Sequence, residues 1–201
     1  MLELLLIRHG ETAWNTADIF RGRVNVGLSE VGLQQATQLA EYLKSKPLQA
    51  IYCSPLPRGA QTAGKIADLQ GLKAQPMEEF NDLDFGEWEG LPRQDVQNHY
   101  REIYDQWLVR PDLARIPGGE SLDEATQRAM KGVNRILAKH ESGTVAIVTH
   151  RVITKVLTCA LLGLDNSHFW NIEMDTCSIT TFVHNGQCFI LMRLNDTSFL
   201  K

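Results

Sequence analysis

Nothing in this sequence of 201 residues comes near the roughly 18 consecutive apolar residues that a membrane-spanning helix needs. The opening Met1-Leu2-Glu3-Leu4-Leu5-Leu6-Ile7 has an acid where a secretory leader carries base, and its apolar stretch is too short for one. Cysteine is scarce. The four residues, at 53, 159, 177 and 188, form no CxxC pair, which removes the usual zinc and dithiol spacings and predicts reduced, partly buried thiols. Together these absences predict a cytoplasmic protein. A surplus of base is missing as well: 20 Lys and Arg against 24 Asp and Glu give a net charge of -4, which speaks against nucleic acid or an anionic membrane as partner. A GxxxxGKS/T loop, a GxGxxG after a strand and an HExxH pair are all lacking, so nucleotide and zinc chemistry have no residues to rest on. No repeat, low-complexity tract or linker interrupts the chain, and residues 1–201 read as one domain.

What is present is the pattern of an ordinary globular chain, 43% hydrophobic and 22% charged. Leu2–Ile7 is a near-continuous apolar run, as in a strand buried on both faces of a parallel sheet. Ala50–Cys53 and Val145–Thr149 repeat the signal. A polar loop follows the first strand to about Leu28. Ser29 then serves as N-cap, with Glu30 in the first turn and Leu33, Ala36, Ala40 and Leu43 at helical spacing behind it. Arg58–Ala67 reads as a second helix. Ser121-x-x-Glu124 is a capping box that opens a third, with Leu122, Ala125, Ala129, Val133 and Ile136 on one face. Val152–Leu162 is a fourth, closed by Gly163. Ile179–His184 and Cys188–Leu194 flank Asn185-Gly186, a strong hairpin signal. The stretch at about 77–117 is less regular and predicts a helical cap over one end of the sheet. The fold class is therefore α/β: three layers, a mainly parallel central sheet with helices on both faces, and a C-terminal antiparallel hairpin.

In such a sheet ligands bind beyond the carboxyl ends of the strands. The first strand ends in Arg8-His9-Gly10, the second in Ser54-Pro55-Leu56-Pro57-Arg58, and the later one in Thr149-His150. Two arginines and two histidines thus converge on one crevice of an otherwise acidic chain. That set suits a phosphoryl dianion. Guanidinium forks stay charged and match phosphate oxygens. A neutral imidazole nitrogen can attack phosphorus and split the displacement into two steps, while the cationic surroundings stabilise the transition state without a metal. His99, His140, His168 and His184 read as structural.

The motifs around these residues resemble those of the histidine phosphatase (phosphoglycerate mutase-like) superfamily. The resemblance rests on five blocks in order: Arg8-His9-Gly10-Glu11-Thr12 with Asn15, and Leu28-Ser29-Glu30 with Gly32 and Gln35-Ala36, then Ser54-Pro55-Leu56 with Arg58 and Gln61-Thr62-Ala63, then Asp84-Phe85-Gly86-Glu87-Trp88-Glu89-Gly90, and last Thr149-His150. Pro117-Gly118-Gly119-Glu120-Ser121 fits as well. The resemblance implies that His9 is the nucleophile, that Arg8, Asn15, Arg58 and His150 hold the phosphoryl group, and that no cofactor is needed. The general acid of relatives is a Glu two residues before the Asp84-Phe85-Gly86 block, which places Asp82 in that role, with Asp84 the competing carboxylate. A proton donor there needs a raised pKa, which burial favours and neighbouring arginines oppose. Where relatives carry Gln-Gly in the loop after the nucleophile, this chain has Arg21-Gly22, so Arg21 and Gly22 fall at substrate-contact positions; a second anionic group on the substrate would suit the arginine. Trp107, Trp170 and Met174 are candidates for a substrate wall, with core packing as the alternative. Chain size and the Gly86–Gly90 block resemble the small phosphatase branch, with its α-ribazole phosphatase and phosphoserine phosphatase members. The expected activity is metal-independent hydrolysis of a small phosphorylated metabolite. A cofactor-dependent phosphoglycerate mutase and a catalytically silent phosphate-binding regulatory module are the alternatives, and a homodimer is left open.

Overall fold

A computed structural model describes residues 1–201. Its centre is a six-stranded sheet built from β1 (Leu2–Arg8), β2 (Ala50–Cys53), β3 (Ala74–Pro76), β4 (Gly143–Thr149), β5 (Ile179–His184) and β6 (Phe189–Asp196), in the order β3-β2-β4-β1-β5-β6. The first four strands are parallel; β5 runs antiparallel to β1, and β6 antiparallel to β5. Four of the helices are long enough to form layers: α2 (Glu30–Leu43), α3 (Pro57–Gln70), α6 (Leu122–Lys139) and α7 (Arg151–Leu161). Shorter ones are α1 (Ala13–Thr16), α4 (Arg93–His99) and α5 (Arg101–Val109).

Alternate residues of the buried strands feed two different cores, as the period of two requires. Leu5, Ile7, Ile51, Ala146 and Val148 pack with Leu39, Leu43, Ala63 and Ile66 of α2 and α3. Leu4, Leu6, Tyr52, Val145 and Ile147 face α6 and α7 through Ala125, Ala129, Val133, Ile153 and Val156. The three-layer expectation holds. Glu3, the polar break in the first apolar run, is held by Lys46 at 2.8 Å and by the Thr144 hydroxyl at 2.9 Å. The segment at about 77–117 carries α4, α5 and two 3-10 turns, and buries Phe80, Leu83, Trp88 and Trp107 in the same core as α6 and α7. No helix is long and apolar enough to cross a membrane.

Four local readings are corrected. Leu33 is 39% exposed, and the inward face of α2 is Gly32, Ala36, Leu39, Ala40 and Leu43 instead. The polar segment before Leu28 contains the one-turn α1. The edge strand β3 escaped notice because three residues ending in proline carry no periodicity. The hairpin loop spans Asn185 to Cys188, longer than Asn-Gly alone: Asn185 Oδ1 accepts from the Gln187 and Cys188 amides, both at 2.9 Å, so β6 starts at Phe189.

The loop leaving β1 is fastened by α2 and α3. The Ser29 amide donates to the Glu11 carbonyl at 2.9 Å, the Glu11 amide to Gln35 Oε1 at 2.9 Å, and the Gly10 amide to Thr62 Oγ1 at 3.1 Å. Closeness is the condition for these bonds. A Cβ on Gly32 would lie 2.0 Å from the Glu11 carbonyl oxygen, and one on Gly10 would lie 2.6 Å from the Gly32 oxygen. Gly32→Ala should therefore prise helix and loop apart. At the roughly 1–3 kcal/mol of an overpacked site, and about 2–4 °C per kcal/mol for a chain of this size, calorimetry is expected to show a Tm several degrees lower. An unchanged Tm would mean that the two segments separate freely.

Candidate active site

The strand ends deliver the predicted residues to one place. Arg8 pairs in register with Thr149 across β1 and β4, and the His9 amide donates to the Thr149 carbonyl at 2.9 Å. His150 is the N-cap of α7. Arg58 stands at the second position of α3, behind Pro57. Asp82 arrives from the loop after β3. All five are buried: Arg8, His9, Arg58, Asp82 and His150 are each no more than 7% exposed.

Hydrogen bonds assign opposite tautomers to the two histidines. His9 Nδ1 lies 2.6 Å from the Gly10 carbonyl and must donate to it, which leaves the lone pair on Nε2. His150 Nδ1 accepts from Arg58 Nε at 3.2 Å, which places its proton on Nε2. That Nε2 is buried and has no partner. The rings meet edge to face with centroids 5.1 Å apart. Both pKa values lie well below the usual imidazole value: burial is the largest cause for each, followed by the charge of Arg58. One neutral imidazole thus offers an acceptor and the other a donor.

Arg58 organises what surrounds them. Its Nη1 donates to the Val24 carbonyl at 2.9 Å, and its Nη2 to the Gly22 carbonyl at 2.6 Å and to Asp82 Oδ2 at 3.2 Å. Asp82 Oδ2 also lies 3.6 Å from His150 Nδ1, while its Oδ1 accepts from the Leu83 amide. Asp84 faces elsewhere, pairing with Arg23 at 3.3 Å and accepting from the Gly86 amide. Gly22 has φ +48, and a Cβ there would lie 1.9 Å from Glu89 Oε1, which accepts from the Arg23 and Phe85 amides. Gly22 and Glu89 shape the loop; the carbonyl of Gly22 is committed to Arg58. Asn15 makes no hydrogen bond to the cluster. Its Oδ1 accepts from the amide and hydroxyl of Thr12, both at 2.9 Å, which leaves its Nδ2 as the free end.

Beside the cluster opens a cleft of about 230 Å³, lined by Arg21, Asp82 and Arg151 and by aromatic residues including Phe85, Trp107 and Trp170. Met174 is not among the lining residues; it packs with Cys159 and Ile172. Of six buried side-chain polar atoms without a partner, five crowd this region: Arg8 Nε, Arg21 Nε, His150 Nε2, Arg151 Nε and Lys155 Nζ. All are donors. Burial, Arg21 and Arg151 hold Arg8 below the ordinary arginine value, and burial does the same to Arg21. Such a set costs stability until an acceptor-rich anion fills it. No group of three or more His, Cys, Asp or Glu is gathered to hold a metal ion.

Arg151 and Lys155 escaped the sequence reading, although both left a signal. Arg151 opens α7, where the helix dipole disfavours a cation, as it does for Arg58 in α3; that misplacement marks helix starts aimed at an anion. Lys155 is the lone charge in the apolar run Val152–Leu157.

The tautomers are testable. At about pH 6.5, nitrogen-15 spectra are expected to show both imidazoles neutral, with His9 protonated on Nδ1 and His150 on Nε2. The unfolded chain takes up protons at these residues near that pH while the folded chain refuses them, so stability falls as pH drops further. An imidazolium signal from either residue at pH 6.5 would contradict the assignment.

Comparison with known proteins agrees with this geometry. Residues 4–197 match the model of the histidine phosphatase superfamily (branch 1). The chain is 33% identical to phosphoserine phosphatase 1 of Hydrogenobacter thermophilus, over 100% of this chain and 95% of the relative. It is 28% identical to the adenosylcobalamin/alpha-ribazole phosphatase of Salmonella typhimurium, over 87% and 86%. The structure of Bacillus stearothermophilus YhfR superposes with a TM-score of 0.96 over all of both chains, at 30% identity. With its fold, its motifs and its anion-seeking crevice in agreement, the chain belongs to the histidine phosphatase superfamily and is a phosphatase within it.

Proposed function

We propose that the chain hydrolyses a small phosphomonoester through a phosphohistidine on His9, with no metal ion. The observation that carries this reading is a buried, neutral His9 whose Nε2 lone pair is free, set among donors that have no partner. In the first step Nε2 attacks phosphorus, the N–P bond forms, and the bond to the alcohol oxygen breaks. Arg8, Arg58, the Nε2–H of His150 and the Nδ2 of Asn15 receive the equatorial oxygens, whose charge they stabilise in place of a metal. Asp82 gives its proton to the leaving oxygen. In the second step Asp82, now a carboxylate, accepts a proton from water, which attacks phosphorus and releases His9 and phosphate. Arg21 faces the alcohol portion of the substrate from the cleft.

His9→Ala is expected to abolish turnover with the fold retained, and wild type quenched in denaturant at alkaline pH should lose its phosphoryl label in acid and keep it in alkali. Activity should survive EDTA. Turnover that vanished with the chelator and returned with a divalent ion would overturn the metal-free mechanism. Asp82→Asn should slow alkyl phosphates by roughly 10²–10⁴-fold and p-nitrophenyl phosphate much less, because the aryl oxygen leaves without a proton. Equal losses on both substrates would remove Asp82 from the acid role.

A further inference from the structure

Two sequence motifs take no chemical part in the reaction above: Asp84–Gly90 and Pro117–Ser121. In the structure they lie against each other. The Glu120 amide donates to the Asp84 carbonyl at 2.8 Å, and the Glu87 amide to the Pro117 carbonyl at 3.0 Å. A Cβ on Gly119 would lie 2.7 Å from the Asp84 oxygen, and one on Gly86 would lie 2.2 Å from the Pro117 oxygen, so only glycine at both positions allows this approach. What the docking delivers is the Glu120 side chain. Its carboxylate takes Arg128 Nε at 2.8 Å and Nη2 at 2.7 Å, a two-point pair that is mostly buried.

The far side of the Arg128 fork is turned on the segment that carries Asp82. Nη1 donates to the carbonyls of Glu79 at 2.8 Å and Asn81 at 2.9 Å, and Nη2 to that of Asp82 at 3.2 Å. Glu78–Phe80 is a single 3-10 turn, and these carbonyls lie at and just beyond its end, where the turn supplies no amide for them. The opposite edge of the segment is held by the strand ends. There the Met77 amide donates to the Cys53 carbonyl at 2.8 Å, the Thr149 hydroxyl to the Phe80 carbonyl at 2.7 Å, and the Ser54 hydroxyl to Asn81 Oδ1 at 3.1 Å. None of these reaches the main chain of Asp82; the bond from Arg128 does. Arg128 is not among the residues that line the cleft, so it acts on the site only from behind.

An aspartate has one methylene between backbone and carboxylate, and its reach follows the main chain closely. Asp82 Oδ2 stands 3.2 Å from Arg58 Nη2 and 3.6 Å from His150 Nδ1. A displacement of about 1 Å at such a group is enough to slow a reaction by about 10²-fold. We propose that Arg128, braced by Glu120, is the positioning residue of the proton donor; this rests on the reading of Asp82 as the acid. Arg128 fixes the main chain at Asp82 and so governs protonation of the leaving oxygen. Attack by His9 and the hold on the phosphoryl group go through residues to which it makes no hydrogen bond.

A series of esters separates these steps. In kcat/KM only the events up to release of the alcohol count, so hydrolysis of the phosphoenzyme does not enter. Arg128→Gln removes the fork and keeps a polar side chain. Its loss should be about twofold or less on p-nitrophenyl phosphate and roughly 10²-fold on glycerol 3-phosphate, with phenyl phosphate between, because the need for a proton rises along that series. In the Asp82→Asn background Arg128→Gln should add no further loss on glycerol 3-phosphate, as for two residues that serve one proton transfer. Inhibition by inorganic phosphate should stay within about twofold of wild type. Glu120→Gln, which leaves Arg128 with a neutral brace, should give the same order of losses at smaller size, and it serves as the test if Arg128→Gln does not fold. Equal losses on the three esters, losses that multiply with that of Asp82→Asn, or phosphate inhibition weakened in proportion would overturn the proposal. If Asp82→Asn itself shows no dependence on the leaving group, the acid reading falls and the proposal with it. If Asp82→Asn shows that dependence and neither Arg128→Gln nor Glu120→Gln does, the proposal falls alone.

Discussion

The molecule depends on one buried guanidinium. Arg58 has no exposure to water, and its donors reach two backbone carbonyls of the loop after His9, one carboxylate and one imidazole. A charge in that position is tolerated only because each face of the fork is met. The same bonds hold the Gly22–Val24 loop down, set the tautomer of His150 and tether Asp82. Removing the fork would leave the three segments joined by fewer bonds, among them Arg23 to Asp84 and the Thr149 hydroxyl to the Phe80 carbonyl. Substituting lysine would keep a charge and lose the planar geometry that makes the four contacts simultaneous.

Around this hub the site is built at a cost in stability. Donors without partners are rare in folded interiors, yet five of them gather beside a single cleft. The two helix starts that carry arginine, in α3 and α7, work against their own dipoles, and Lys155 is a buried ammonium without a hydrogen-bond partner. The rest of the chain compensates with two dense apolar cores on either side of β1 and β4, one aliphatic and one rich in aromatic rings, whose residues are almost wholly hidden.

Much of this was legible in the sequence because its determinants are local. The apolar runs of β1, β2 and β4, the Ser29 and Ser121 caps and the helix behind each carried the layers, and the residues at their ends named most of the crevice. What stayed hidden depends on tertiary closeness. Gly32 looks like a flaw in a helix until the Glu11 carbonyl is seen against it. Leu33 has the right period and the wrong side. The three residues of β3 have too little pattern to be read. Arg151 is paired with Glu173 and Lys155 lies against the Trp170 ring, and these partners sit in a segment some twenty residues further on and share no motif with them.

The opposed tautomers of His9 and His150 carry a further consequence, for the ionic form of what enters. Nearly every side-chain group aimed at the phosphoryl position gives a hydrogen and none is idle to receive one, apart from His9 Nε2 and the carboxylate of Asp82. A phosphate monoester that still holds its last proton would have to lodge it on one of those two. On His9 it would fill the lone pair that the proposed reaction uses; on Asp82 it would sit where that reaction needs a proton to give away. The tautomers therefore leave the carboxylate as the one place for it. On that reading the crevice receives the phosphoryl group without its proton and keeps the proton apart, on the acid that the reaction later calls on.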